Sequence, residues 1–271
     1  MESKWSTSMN CDNSSCISTF EPSLKSLGTM KHVPKKLYYK GNLSLLERPK
    51  IAIVGSRKPI TYTKTQTYSI AQTLAYAGLC IVSGGAMGVD ALAHQGAGFA
   101  NTVMVAGTGL DKRYPTINAS LIQSIEEEGL VLSQFETGEP SFKWNFPLRN
   151  ELIVALGEVL IVTQADLKSG TMHSVDFAKE MGKPIYVLPH RLGESEGTTL
   201  LLKQGVAKPL FDVETLLLDL GYTKAPCSDT FLNYCDSSPL YHEAVEHFGD
   251  KVFEYECLGK IRVEKGRLKR L

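Results

Sequence analysis

The sequence has no run of 18 apolar residues, so it predicts no transmembrane helix. Its first five residues lack the apolar segment of a secretory signal. The six cysteines have neither the spacing of a zinc site nor the density of a disulfide framework. No Ser-His-Asp set or pair of carboxylates points to a catalytic centre. We therefore expect a cytoplasmic protein without a membrane span, a bound metal ion or catalytic residues.

The formal net charge of the chain is zero, which at first argues against a nucleic-acid partner. The charges are unevenly distributed, however. Residues 31–64 contain nine Lys or Arg residues and one acid, Glu47, whereas three acids stand together at 126–128. A basic surface is expected beside this segment, because local potential governs binding more than total charge does. The alternative is a solvated face without any partner.

Composition divides the 271 residues into three segments. Residues 1–20 are rich in Ser, Thr and Asn with little to bury, and we predict that they form a disordered tail. A larger domain is expected at 21–222 and a small one at 227–271. The pattern of the small segment predicts helices at 228–234, 241–248 and 250–258, followed by a hairpin. Three helices and a terminal hairpin are typical of a winged-helix domain.

The charges of this small segment favour a structural or protein-docking role over the reading of DNA bases. Six of the eleven residues at 260–270 are basic, and one is acidic. The helix that would enter a DNA groove carries Asp250, Glu254 and Glu256, however, and phosphates would repel these side chains.

Short apolar segments alternate with helical patterns between residues 50 and 220. Strands that are apolar throughout are typical of a parallel sheet covered on both faces. We therefore predict a Rossmann-like, doubly wound, mostly parallel α/β domain. The predicted strands are 50–54, 79–83, 102–106, 130–133, 158–163 and 184–188, and the predicted helices are 62–77, 88–98, 117–127, 148–156 and 171–181.

Three strand-to-helix turns have the composition of anion-binding loops. Gly-Ser-Arg at 55–57 follows the first strand, Ser-Gly-Gly-Ala-Met-Gly-Val-Asp at 83–90 follows the second, and a third turn lies at 164–171. A helix that begins at such a turn offers free N–H groups and a positive dipole end, and paired glycines let a ligand approach the backbone. The alternatives are a tight turn at 55–57 and simple helix capping, by Asp90 in the second case.

The same turns disfavour a nicotinamide dinucleotide, and no other cofactor is expected. No G-x-G-x-x-G pattern follows the first strand, and no acid ends the second strand to bind a ribose hydroxyl. In a parallel sheet the three turns meet at the carboxyl edge, where such folds bind ligands. We therefore expect a site for a ligand with several phosphates.

Basic and aromatic residues are interleaved between 142 and 149. Lys143 and Arg149 alternate with Phe142, Trp144 and Phe146, an arrangement that suits single-stranded nucleic acid, since cations follow phosphates while rings stack on bases. The alternative places the three rings in the core beneath a loop. One residue of the Arg-Asn pair that opens the next helix would then only hold that loop in place.

Five motifs occur in a fixed order along the chain. They are Gly-Ser-Arg at 55–57, the turn at 83–90, Tyr-Pro-x-x-Asn at 114–118, Phe-Pro-x-Arg-Asn at 146–150 and Lys-Ser-Gly-Thr at 168–171. In sequence and spacing they resemble the DNA-processing protein A family, also called DprA or Smf, over about residues 35–220. The tail also resembles the winged-helix domain at the end of many members.

The resemblance implies a function and a set of contact residues. Members bind single-stranded DNA that enters the cell in natural transformation, protect it, load the RecA recombinase and form dimers through the Rossmann-like domain. Trp144 departs from the family pattern, and residues 1–20 match nothing in it. With the turns above, the resemblance implies phosphate or base contacts from Gly55, Ser56, Arg57, Lys58, Ser83, Gly84, Gly85, Lys143, Phe146, Arg149, Asn150, Lys168, Ser169, Gly170 and Thr171.

Two other functions would use the same predicted pocket. The first is a nucleotide phosphoribohydrolase of the lysine decarboxylase-like group, which shares the fold and carries a Pro-Gly-Gly-x-Gly-Thr loop with a catalytic glutamate. Here the loop at 167–171 reads Leu-Lys-Ser-Gly-Thr, and Glu151 is expected to face solvent. The second is a sensor of a free mononucleotide, whose binding would not depend on oligonucleotide length.

Overall fold

The computed structural model describes residues 17–222, 230–235 and 237–271. The chain divides into two units, one up to residue 222 and one from residue 223 onwards. Most of the predicted tail, residues 1–16, lies outside the described residues. No helix among the described residues is long and apolar enough to cross a membrane.

The described part of the larger unit contains nine β-strands in one sheet, in the order β1-β2-β6-β5-β4-β3-β7-β8-β9. Strands β3 to β9 run parallel, whereas β1 and β2 form an antiparallel edge beside β6. The predicted doubly wound, mostly parallel α/β class is confirmed. The strands are β1 (Ser18–Phe20), β2 (Leu37–Gly41), β3 (Lys50–Val54), β4 (Cys80–Ser83), β5 (Thr102–Val105), β6 (Leu130–Ser133), β7 (Leu160–Val162), β8 (Ile185–Val187) and β9 (Lys208–Pro209).

Seven α-helices of this unit cover the two faces of the sheet. Helices α1, α2, α3 and α7 pack on one face, and α4, α5 and α6 on the other. Successive residues of β3 therefore face opposite cores, and all five are buried. The helices are α1 (Thr61–Tyr76), α2 (Val89–Ala97), α3 (Ala119–Glu128), α4 (Asn145–Leu156), α5 (Gly170–Glu180), α6 (Glu196–Lys203) and α7 (Val213–Asp219).

The strand order places a switch point between β3 and β7. From β3 the chain proceeds outwards to β6 and then returns to β7 on the other side of β3. The helix after β3 lies on one face and the helix after β7 on the other, so the two loops diverge at the carboxyl edge. Doubly wound folds bind their ligands in the crevice that this divergence leaves.

Besides β2, four strands and helices of this unit are absent from the predicted set: β1, β9, α6 and α7. Ser18–Phe20 form β1, which pairs with β2, so these three residues are not part of a disordered tail. Strand β9 has only two residues, and helices α6 and α7 have eight and seven. A strand of two residues carries no periodic signal of its own.

The described part of the small unit contains three helices and a hairpin, in the order that the winged-helix pattern predicts. They surround a core that includes Phe231, Val252 and Leu268. Lys265 and Gly266 form the two-residue turn with φ of 50° and 74°, which matches the twist of the strands that they join. The elements are α8 (Thr230–Cys235), α9 (Tyr241–Phe248), α10 (Lys251–Cys257), β10 (Ile261–Glu264) and β11 (Arg267–Arg270).

Two cations of the hairpin are paired with its acidic residue. Glu264 forms ion pairs with Arg262 at 2.8 Å and with Lys269 at 2.6 Å. The ammonium group of Lys260 lies 4.4 Å from the ring centroid of Tyr255. The hairpin therefore keeps its net positive charge, although two of its cations are paired with Glu264.

Candidate functional site

A cavity of about 370 Å³ lies at the switch point, bounded by the turn after β3 and the starts of α4 and α5. The cavity is lined in part by residues that were not among the predicted contacts: Val54, Ala86, Asp90, Asp166 and Ser174. Ten of the fifteen proposed contact residues line it as well: Gly55, Ser56, Arg57, Lys58, Phe146, Arg149, Asn150, Ser169, Gly170 and Thr171.

The turn after β3 is held from both sides by the protein. The amide of Val89, the first residue of α2, donates to the carbonyl of Ser56 at 3.1 Å. Gly88, with φ of 80°, allows this approach, because a Cβ there would lie 2.5 Å from the same carbonyl oxygen. The side chain of Gln164 accepts from the amide of Ile60 at 3.0 Å. The first amide of α2 is thus used within the protein and is not open to a ligand.

The paired glycines after β4 make room for side chains of the protein. Gly84 lines a second cavity of about 60 Å³ beside the first, but a Cβ there would overlap the guanidinium group of Arg149. A Cβ at Gly85, whose φ is 69°, would lie 2.6 Å from the sulfur of Met104. Packing therefore explains both glycines without a ligand against the backbone.

Three further proposed residues have side chains outside these two cavities. Ser83 is fully buried, and its hydroxyl donates to the carbonyl of Ile53 at 2.7 Å. Lys143 and Lys168 are exposed on the segments that lead into α4 and α5. The structure therefore separates a buried serine and two solvent-exposed lysines from the group that meets at the cavity.

Arg149 and Asp90 form a buried ion pair in the cavity wall. Arg149 is 4% exposed, and its Nη1 lies 3.7 Å from Oδ2 of Asp90 and donates to the carbonyl of Val105 at 3.4 Å. Burial raises the pKa of Asp90 and lowers the pKa of Arg149, while each charge opposes the shift of the other. The charge of Arg149 is therefore largely offset inside the protein.

The N-terminus of α5 opens into the cavity without a side-chain cap. Ser169 stands at the N-cap, but its hydroxyl donates to the carbonyl of Asp166 at 2.8 Å and caps no amide of the helix. Ser174, in the second turn, is 1% exposed, and its Oγ has no hydrogen-bond partner among the described residues. An uncapped helix start beside an unpartnered hydroxyl is suited to bind an anion. A single serine inside a helix has no sequence signature of such a role.

Two exposed cations stand at the mouth of the cavity. Neither Arg57 nor Lys58 forms a salt bridge within the part of the chain that the structure describes. The guanidinium of Arg57 lies 5.9 Å from the ring centroid of Phe146, which is partly buried and lies 6.0 Å from the ring of Tyr114. Asp166 is the exposed acid among the lining residues. The mouth therefore combines free positive charge with an accessible aromatic ring.

The start of α4 is anchored by two asparagines. Asn145 is buried, and its side chain donates to the carbonyls of Gly107 at 3.2 Å and Pro140 at 3.1 Å. Asn150 donates to the carbonyl of Gly170 at 3.4 Å, which connects α4 to α5. Asn150 thus connects α4 to the N-terminus of α5.

The aromatic residues before α4 differ in their surroundings. Trp144 is 63% exposed and stacks on Phe142, which is 38% exposed, with ring centroids 4.4 Å apart. The alternative that places these two rings in the core is therefore wrong, because they cover each other instead of being covered by a loop. Phe146 is the ring of the three that lines the cavity.

Glu151 does not face solvent, and that prediction is wrong. It is 1% exposed, and its carboxylate accepts from the amides of Lys31 at 2.6 Å and His32 at 3.3 Å. The segment before β2 covers this part of α4, a contact between distant residues that the helical pattern does not reveal. Glu151 is absent from the lining of the cavity. Among the described residues no group of three His, Cys, Asp or Glu side chains could hold a metal ion.

Comparison with known proteins identifies relatives of the larger unit. Residues 18–221 match the family described as DNA recombination-mediator protein A. The protein Smf of Synechocystis is 37% identical over 196 residues, which cover 69% of this chain and 49% of the relative. The DNA processing protein DprA of Streptococcus pneumoniae is 38% identical over 183 residues, which cover 66% of this chain and 64% of the relative. The chain thus spans about half to two thirds of the length of these curated relatives.

A solved structure supports the same relationship. DNA processing protein A from Helicobacter pylori has a solved structure that describes its single-stranded DNA binding mode. That structure matches this chain with a TM-score of 0.72 and 41% sequence identity. The similarity covers 81% of this chain and 98% of the other chain.

Proposed function

Because this chain belongs to the DNA recombination-mediator protein A family, we propose that it binds single-stranded DNA at the cavity between β3 and β7. The observation that carries this proposal is the uncapped start of α5 beside the unpartnered Ser174 hydroxyl, under the free cations of Arg57 and Lys58. The DNA-binding relative from Helicobacter pylori supports the same ligand.

The proposed mechanism is capture of the phosphate backbone without reading the sequence. One phosphate accepts from the first amides of α5 and from Ser174, and Arg57 neutralises the next. Phe146 supplies a face on which a base stacks. Arg149 has a positioning role in the cavity wall. Its charge is offset by Asp90 and is therefore not the main attraction for phosphate. The role is that of a binding protein and not of an enzyme.

We also propose that the protein protects incoming strands and loads a RecA-type recombinase in natural transformation or homologous recombination, in the cytoplasm. The supporting observation is the relationship to DNA-processing proteins. A strand-exchange assay with DNA coated by single-strand binding protein tests the loading. Recombinase activity that does not rise on addition of this protein would refute it.

We further propose a homodimer formed through the Rossmann-like domain. Exposed apolar side chains on α1 and on α7 support it: Tyr76 is 66% exposed and Leu218 70%. Light scattering is expected to give twice the mass of the chain. The Leu218→Glu variant is expected to give the monomer mass, and a monomeric wild type would contradict the proposal.

The binding function is tested by titration of oligo-dT of increasing length at several salt concentrations. The affinity is expected to rise with length to a plateau and to exceed the affinity for duplex DNA. The logarithm of affinity should fall with the logarithm of salt by about 0.7 per phosphate engaged. Equal affinity for duplex DNA would refute the proposal. An affinity that does not depend on oligonucleotide length would support a mononucleotide sensor. Release of adenine from AMP would support a phosphoribohydrolase.

Replacement of Ser174 by alanine is expected to separate binding from stability. Its hydroxyl is buried and has no partner within the described chain, so its removal relieves a desolvation cost and the free energy of unfolding in urea should not decrease. The affinity for oligo-dT should fall by about 10-fold or more, as expected for one hydrogen bond to a charged acceptor. Unchanged affinity in fluorescence anisotropy would show that the hydroxyl does not contact the ligand.

A further inference from the structure

A second concave surface lies on the other side of the turn after β3. It is a groove of about 560 Å³ between α1 and α2, and the side chains of Lys64, Leu92 and Gln95 contribute to its lining. Lys64 lies in the first turn of α1 and is exposed, and Gln95 is exposed on α2. The groove thus has walls from two well-packed helices.

The charge of this groove has a single sign. Arg57, Lys58 and Lys64 line it, and no acid does so. None of the three cations has a salt-bridge partner in the described segments of the chain. The cavity between β3 and β7, in contrast, includes the carboxylates of Asp90 and Asp166. No negatively charged side chain in the lining of the groove therefore repels an anion.

The groove is continuous with the cavity through two side chains. Arg57 and Lys58 line both of them, and Arg57 also lines the smaller cavity that contains Gly84. A chain of phosphates that leaves the cavity can pass over residues 57–58 and continue along α1. A free mononucleotide has no phosphodiester backbone to place there.

We propose that the groove between α1 and α2 binds the backbone of single-stranded DNA beyond the segment held in the cavity, with Lys64 as its phosphate contact. The inference rests on the proposed function, because it extends the same strand. Leu92 and the stem of Lys64 supply apolar surface for sugars, and the amide group of Gln95 can donate to a phosphate or sugar oxygen. The site is therefore longer than the cavity alone.

The test compares Lys64→Ala with the wild type across oligo-dT lengths. The shortest oligonucleotides that bind should retain their affinity, because they occupy only the cavity. Those on the plateau should bind about 3- to 10-fold more weakly, and their salt slope should fall by about 0.7. Lys179→Ala is the control, since it removes the same charge from an exposed position on α5 and is expected to change neither affinity nor slope.

The outcomes distinguish this inference from the proposed function. If the wild type binds no oligonucleotide, the proposed function fails and the inference fails with it. If the wild type binds but Lys64→Ala matches Lys179→Ala at every length, the inference alone is overturned. An equal loss at short and long lengths overturns it too, because Lys64 would then act on the cavity through its field.

Discussion

The Arg57→Ala variant is expected to bind single-stranded DNA about 10- to 100-fold more weakly than the wild type, as the loss of a charge-assisted contact implies. Arg57 lines the main cavity, the small cavity beside it and the groove between α1 and α2. Its guanidinium has no acidic partner in the residues described here, so its charge is available to phosphate. No other predicted contact residue lines all three surfaces.

The measurement is fluorescence anisotropy with oligo-dT of plateau length at two or more salt concentrations. The salt slope should also fall by about 0.7, because one fewer phosphate is neutralised. Since Arg57 is exposed, the urea midpoint should not change. The affinity of Arg57→Lys should lie between those of the wild type and Arg57→Ala, because lysine retains the charge but not the planar fork of donors. An affinity within twofold of the wild type would remove Arg57 from the site.

The strands and the turns after them could be predicted because their signals are local. Residues of β3 are apolar in succession since both faces of that strand are covered, and the glycines that follow it mark the turn. The position of β3 in the middle of the sheet then brings the turns at 55–57 and 169–171 together by topology alone. The order of apolar segments and turns along the chain therefore predicts where the cavity lies.

The roles of single residues could not be predicted, because they depend on partners distant in sequence. Gly84 looked like a ligand-binding glycine, yet it accommodates Arg149, which lies 65 positions further along the chain. The amide of Val89 looked free until the structure paired it with Ser56. Ser174 becomes a candidate contact only because its buried hydroxyl has no hydrogen-bond partner among the described residues, which the sequence does not reveal. Side-chain pairing of this kind leaves no periodic trace.

The Arg149→Met variant is expected to lose about 3–5 kcal/mol of unfolding free energy at neutral pH, since removal of one partner leaves a buried charge uncompensated. Asp90 would keep its buried position without the guanidinium at 3.7 Å. Methionine fills a similar volume, so the effect of a cavity is kept small. Urea unfolding of both proteins at pH 7 measures the difference.

The pH dependence of this loss identifies its cause. Burial already raises the pKa of Asp90, and removal of Arg149 removes the main charge that opposes this rise. A carboxyl whose folded pKa exceeds its unfolded pKa destabilises the protein only above the unfolded pKa, which is about 3.9 for Asp. The difference between Arg149→Met and the wild type should therefore shrink as the pH falls towards 4. A loss that stays constant with pH would point to packing instead.

The double variant Asp90→Asn/Arg149→Met completes the argument about Arg149. With both charges removed, most of the stability should return, because neither partner remains as an unpaired buried ion. If the double variant also binds oligo-dT nearly as well as the wild type, Arg149 is a positioning residue, and Arg57 and α5 hold the phosphates. If stability returns but affinity stays more than tenfold reduced, the guanidinium itself contacts DNA, as the sequence motif at 146–150 predicts.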